Sequence, residues 1–125
     1  MASQGNTNVV AIVDDDESIR SALQGLMKVA GYRTMAFASA EDFLNSGEKQ
    51  HTGCLIADIR LPGMSGLDLQ SQLNTDHHKI PIIFIAGHRD ERMWMQALRA
   101  GAVDFLTKPF DDTALLEQVR AAFNE

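Results

Sequence analysis

VVAIVDDDES, residues 9–18, joins two opposed chemistries in one stretch. Val9 to Val13 is an unbroken, largely β-branched apolar run, the composition of a strand covered on both faces. It stops at Asp14, Asp15 and Asp16. From Glu17 the apolar residues Ile19, Leu23, Leu26, Met27 and Ala30 recur at helical spacing, and Gly31 supplies the stop. A buried strand that runs through a short acidic turn into an amphipathic helix is the opening of a strand–helix–strand unit.

The same alternation continues along the chain. Arg33 to Phe37 reads as a second, weaker strand. Ser39 is an N-cap, with Asp42 three residues later completing an imperfect capping box and Phe43 and Leu44 on the apolar face; Gly47 ends that helix. Cys54 to Ala57 is a third strand that ends at Asp58, and LPGMSG, residues 61–66, is turn chemistry. Leu67 to Leu73 forms a short helix, Ile80 to Ala86 a fourth strand, and Asp90 to Ala100 a helix closed by Gly101. Val103 to Leu106 is a fifth strand, and Asp111 caps a last helix through about Phe123. Five such units with short connections predict right-handed crossovers and a parallel sheet with helices on both faces. There is no internal repeat and no low-complexity segment, so residues 1–125 read as one domain, with 1–8 as a flexible N-terminal arm.

Composition narrows the function. With 45% hydrophobic and 22% charged residues the chain suits a folded globular domain. Its net charge of −6 argues against direct nucleic-acid binding, which depends on clustered positive charge. Cys54 is the single cysteine, which excludes an internal disulfide and suits a reducing cytoplasm. No apolar run approaches membrane-spanning length.

In open α/β sheets, ligands bind beyond the carboxyl ends of the strands. Asp14 and Asp15 follow the first strand, Asp58 the third and Lys108 the fifth, so three carboxylates and one ammonium converge. Carboxylates this close repel one another unless a cation offsets them. Magnesium fits: it takes hard oxygen ligands, keeps several waters and bridges to phosphate. Lys108 would pair with Asp58 at rest and with a phosphoryl oxygen afterwards. Taken alone, DDDE is an ordinary acidic helix start. Asp16 and Glu17 need no other explanation, but Asp58 and Lys108 at strand ends do.

Four segments, IVDDDESIR (12–20), ADIRLPGMSGLDL (57–69), PIIFIAGH (81–88) and AGAVDFLTKPF (100–110), resemble the receiver domains of two-component response regulators. GHRDERM, GAVDFLTKPF and SAEDFL are most similar to the FixJ-type subgroup, whose members usually carry a DNA-binding output domain. The resemblance implies a flavodoxin-like (βα)5 doubly wound fold with strand order 2-1-3-4-5. Carried over by position, Asp58 resembles the phosphoacceptor and Lys108 the phosphoryl-binding lysine, with a cis Lys108–Pro109 bond. Asp15 looks like a direct magnesium ligand, Asp14 a ligand through water, and the Arg60 backbone carbonyl a further ligand beside Asp58. Phe105 occupies the aromatic switch position.

Ala86 departs from the family pattern, which has Thr or Ser at the end of the fourth strand. The missing hydroxyl would have contacted the phosphoryl group, a bond worth ~1.5–3 kcal/mol to a charged partner. Thr107 is no obvious substitute, because as the strand neighbour of Lys108 it should point to the opposite side of the sheet. The Ala86 departure bears on the relay of the signal rather than on acceptor chemistry.

The remaining residues divide between ordinary and functional readings. Cys54 reads as a packed, inert thiol, and His77 and His78 as solvated loop residues. His88 stands where the family places a rate-modulating side chain, and Arg60 is a second modulating candidate beside its alternative as a solvated loop arginine. Met93, Trp94 and Met95 cannot all face the sheet, since consecutive helical residues point about 100° apart. Met93, Ala97 and Ala100 form the expected core stripe. Trp94, Met95, Arg99 and Asp104 are then candidates for a self-association surface on the fourth helix and fifth strand.

These readings predict a cytoplasmic switch that accepts a phosphoryl group from a histidine kinase or phosphotransfer protein, not a turnover enzyme, controlling an output domain or partner. A pseudo-receiver that only docks partners is the alternative that Ala86 favours. An aspartate-nucleophile phosphatase usually carries a second aspartate two residues past the nucleophile, where this chain has Arg60. A flavin-binding protein needs a Ser/Thr/Gly-rich phosphate loop after the first strand, and that is absent.

Overall fold

The computed structural model of the chain describes residues 9–88 and 90–123. The expected flexible arm at 1–8 lies outside the described residues. Five strands alternate with five helices: β1 Val9–Val13, α1 Glu17–Val29, β2 Arg33–Phe37, α2 Ala40–Asn45, β3 Thr52–Asp58, α3 Gly66–Thr75, β4 Ile82–Ala86, α4 Glu91–Arg99, β5 Asp104–Thr107 and α5 Asp112–Ala122. A 3₁₀ turn, Lys49–His51, precedes β3. All strand pairs are parallel and the sheet order is β2-β1-β3-β4-β5.

Strand side chains alternate between faces, so the sheet is sandwiched by two cores. Val10, Ile12, Ile56 and Ile85 pack with Leu23 and Met27 of α1 and Leu115 and Val119 of α5. Ala11, Leu55, Phe84 and Phe105 pack with Phe43 of α2, Leu69 and Leu73 of α3 and Ala97 of α4. β1, β3 and β4 lie inside the sheet, and almost all their residues are buried, which is why their sequences show apolar runs rather than alternation.

The helix starts follow local chemistry. Asp16, Ser39, Ser65, Asp90 and Asp111 each cap a helix by accepting a backbone N–H from its first turn. Ser65 and Asp68 form a reciprocal capping box, which moves the start of α3 to Gly66 instead of Leu67; the helix ends at Thr75, past the expected Leu73.

Several bounds differ from the sequence expectation. β3 starts at Thr52 rather than Cys54 and includes Asp58; a register shift between Val9 and Val10 leaves Gly53 outside the pairing with β1. β4 starts at Ile82 rather than Ile80, because Pro81 has no N–H to donate, although its carbonyl accepts from Leu55 N at 2.9 Å. β5 is shifted one residue, to Asp104–Thr107. On α4, Ala97 is buried and Met93 packs against the core, but Ala100 is exposed as the C-cap, and Trp94 joins the packing in its place. Among the described residues no helix is long and apolar enough to cross a membrane.

Candidate functional site

The carboxyl ends of β1, β3 and β5 bring Asp14, Asp15, Asp58 and Lys108 together, as the strand-end rule predicts. Single ligand oxygens of the three aspartates lie within 4.8 Å of one another. Asp14 is fully buried, Asp58 nearly so, and Asp15 is exposed.

Each side chain is held by its own neighbours. The Asp14 backbone extends β1 by one step, its N–H donating to Phe37 O at 3.1 Å. Its Oδ1 accepts from Asp16 N at 2.9 Å, and Arg20 Nη1 donates to its carbonyl at 2.8 Å. Asp58 Oδ1 accepts from Arg60 N at 2.9 Å. Lys108 Nζ donates to Asp58 Oδ2 at 2.9 Å and to Asp14 Oδ2 at 3.3 Å, while its backbone N–H is fixed on Ala86 O at 2.7 Å. The Lys108–Pro109 bond is cis, as the resemblance implied.

The electrostatics follow from burial. Loss of solvent raises the Asp14 pKa above the ordinary carboxylate value; the Asp16 N–H and the Lys108 charge oppose that rise without cancelling it, and Asp58 adds to it. For Lys108 desolvation pushes downward, but its hydrogen bonds and charge attraction to Asp58 and Asp14 outweigh it, and its pKa is raised. One ammonium therefore serves two buried carboxylates, and a third carboxylate at the rim has no such partner in the cluster. Hard oxygen donors in this number, with excess negative charge, fit a magnesium ion better than a thiol- or imidazole-seeking metal.

The backbone beside Asp58 is tightly closed. A Cβ on Gly66 would meet Asp58 O at 2.6 Å and Ile59 Cα at 2.9 Å, so the chain can fold back here only with glycine. Gly66 N donates to Ile59 O at 3.0 Å, and Ile59 N to Ile85 O at 2.9 Å, fixing the loop that carries Arg60.

Other candidates fall elsewhere. The Arg60 guanidinium does not join the acidic pair; it is exposed and lies 3.7 Å from Asp90, the cap of α4. His88 is exposed, two residues past the end of β4. Ala86 is buried, and its register partner on β5 is Thr107. Phe105 is buried against Phe84, ring centroids 6.5 Å apart. Met95 is 44% exposed, Arg99 is exposed, and Trp94 is half-buried on the core. Asp104 Oδ1 accepts from Phe105 N at 2.7 Å. His78 is not simply solvated: its Nε2 donates to Lys49 O at 2.9 Å. Sequence reasoning missed Arg20, although it lies only six residues past Asp14. It also missed an apolar groove beside Lys108, lined by Ile19, Leu23, Leu26, Pro109 and Phe110. That groove joins α1 to the turn after β5, a contact no local pattern announces.

Comparison with known proteins agrees with this architecture. Residues 10–120 match the response regulator receiver domain. Response regulator protein TodT of Pseudomonas putida is 49% identical over 115 residues, covering 92% of this chain and 51% of TodT. Nodulation protein W of Bradyrhizobium diazoefficiens is 48% identical over 114 residues, 91% of this chain and 50% of that protein. The crystal structure of FixJ-N superposes with a TM-score of 0.85 at 39% identity, covering 94% of each chain. The chain spans about half the length of the curated relatives it matches.

Proposed function

The chain belongs to the response regulator receiver domain family, and on that premise we propose that it is a phosphorylation switch with Asp58 as acceptor. Receiver domains of this family are signalling switches of two-component systems rather than enzymes that turn over a separate substrate. The observation that carries the reading is the Lys108 ammonium held between Asp58 and Asp14, with Asp15 close by. A docking module without switching, the reading Ala86 favours, has no need to bury two carboxylates on one cation.

An Asp58 carboxylate oxygen attacks the phosphorus of a phosphohistidine on a histidine kinase or phosphotransfer protein. The P–N bond breaks as the new P–O bond forms, and its electron pair stays on the imidazole nitrogen, which takes up a proton. Asp14 and Asp15, with the Arg60 carbonyl and Asp58 itself, would hold magnesium. When bound, that ion would neutralise charge as the phosphoryl group is transferred. Lys108 transfers its hydrogen bond from the Asp58 carboxylate to a phosphoryl oxygen. Water later hydrolyses the acyl phosphate. Arg60, paired with Asp90, and His88, exposed two residues past Ala86, are our candidates for modulating that hydrolysis.

The apolar groove beside Lys108 is where we place the phosphodonor protein. The output side is α4 and β5, where Met95, Arg99, Asp104 and the edge of Trp94 form a surface for a phosphorylation-dependent homodimer, with Ala86 and Phe105 between it and the acceptor. Transcriptional regulatory proteins among the relatives, FixJ and TdiR, support a DNA-binding output domain following this segment in a cytoplasmic regulator. DNA contact belongs to that domain, since this one carries a net charge of −6.

The test is incubation with a small-molecule phosphodonor and magnesium, followed by intact-mass measurement. One magnesium-dependent adduct, stable in acid and labile in base, is expected, and Asp58→Asn should not gain it. An equal adduct on Asp58→Asn would remove the assignment.

A further inference from the structure

Outside the acidic cluster, a polar contact ties the start of α2 to a loop distant in sequence. Glu41, in the first turn of α2, reaches the connection between β3 and α3, where its Oε2 accepts from Met64 N at 3.0 Å. Gly63, next to it, has φ +75°, and a Cβ there would come within 2.6 Å of the same oxygen. The backbone at residues 63 and 64 is therefore pressed against the carboxylate. Glu41 is itself presented from a fixed position, because Ser39 caps α2 and Ala40 and Phe43 are fully buried.

The connection is thus held twice. Its base is closed by backbone bonds, Ile59 N to Ile85 O and Gly66 N to Ile59 O. Its far end is held by a side chain from another element. Arg60, whose carbonyl is our proposed magnesium ligand, lies between these supports in the chain.

We propose that Glu41 is a positioning residue for the magnesium site: by holding Met64 it fixes the β3–α3 connection, and with it the Arg60 carbonyl. This rests on the reading of the acidic cluster as a magnesium site. Magnesium demands near-octahedral geometry at short distances, so a ligand on a connection must be in place before the ion arrives. Partners outside the ligand shell commonly change metal affinity by orienting ligands. A carboxylate accepting from a backbone N–H makes a charge-assisted bond, stronger than a neutral one.

Glu41 also carries a negative charge, and that alone would favour a cation. Glu41→Gln separates the two effects, since its amide oxygen still accepts from Met64 N without the charge; Glu41→Ala removes both. The measurements are magnesium affinity by titration calorimetry and exchange of the Met64 amide by NMR in metal-free protein, with Asp58→Asn as the reference. Glu41→Ala should bind magnesium about tenfold more weakly and lose Met64 protection. Glu41→Gln should stay within about twofold of the parent, because the same acceptor remains. If Glu41→Gln loses as much affinity as Glu41→Ala, the effect is charge and the positioning role is overturned. If Glu41→Ala binds like the parent while Asp58→Asn does not, the role is overturned and the magnesium site stands. If the parent itself fails to bind, the site reading falls and this inference with it.

Discussion

Lys108 Nζ lies 2.9 Å from Asp58 Oδ2, although the two residues stand at the ends of strands that are not neighbours. β4 lies between β3 and β5, so the lysine spans the end of an intervening strand. The same nitrogen reaches Asp14 at 3.3 Å. One cation therefore cross-links the ends of three strands.

Removing it should destabilise the metal-free fold. Lys108→Met leaves two buried carboxylates facing each other, and the unfolding free energy at pH 7 should fall by about 1–3 kcal/mol. The Lys108 pKa is raised on folding. Its contribution is therefore fully present below the unfolded lysine value of about 10.4 and is lost as pH rises through the higher folded value. Urea melts should show a constant gap between parent and variant from pH 7 to about 9, narrowing at more alkaline pH. A gap that persists undiminished at the alkaline end would contradict the pairing.

Asp14 has the opposite balance. Burial raises its pKa, so its charge costs more in the fold than in the unfolded chain. Asp14→Asn keeps an acceptor for Asp16 N and removes one charge from the cluster. Without magnesium this variant should melt higher by about 4 °C, corresponding to roughly 1 kcal/mol. Added magnesium should raise the melting temperature of the parent and leave the variant nearly unchanged. Equal magnesium shifts in both would show that Asp14 takes no part in the site.

Ala86 and Thr107 are register partners at the ends of β4 and β5, and their side chains share one face of the sheet. Thr107 nevertheless stands two strand spacings from β3, roughly 9–10 Å, against one for Ala86. The Thr107 hydroxyl is therefore too far to replace the one missing at Ala86. Ala86→Thr should add a charge-assisted hydrogen bond to the phosphoryl group and raise phosphorylation rate or adduct lifetime about threefold or more. Unchanged kinetics in a folded Ala86→Thr protein would mean that another group already makes that contact.

Met95 is exposed on α4 beside Arg99, and Leu98 is at the margin of exposure. Apolar side chains next to opposite charges suit a twofold interface. Sedimentation with a beryllofluoride phosphoryl mimic should detect a dimer that Met95→Asp abolishes. A monomer in both states at high concentration would refute this surface.

Cys54 is buried in β3, and loss of solvent pushes its thiol up to about 12. At pH 8 the thiolate fraction is then about one in ten thousand. A disulfide exchange reagent should leave the native protein unmodified for as long as it stays folded and react at once in denaturant. Rapid labelling of native protein would place Cys54 at the surface.

The sequence by itself determined the alternation, the caps and the strand-end acids. These are local properties: an apolar run such as Val9–Val13 must be covered on both faces, and Asp14 must then sit at its carboxyl end wherever the strand lies. Strand order came only through resemblance, because hydrophobic runs do not state their neighbours. The tertiary structure alone decided who meets whom. It assigned Arg60 to Asp90 rather than to the acidic cluster, brought Glu41 to Met64 across 23 residues, and turned Trp94 inward where Ala100 was expected. Those contacts depend on how helices sit on the sheet and how loops close between them. A side chain's partner across the chain is set by that packing, and no spacing in the sequence encodes it.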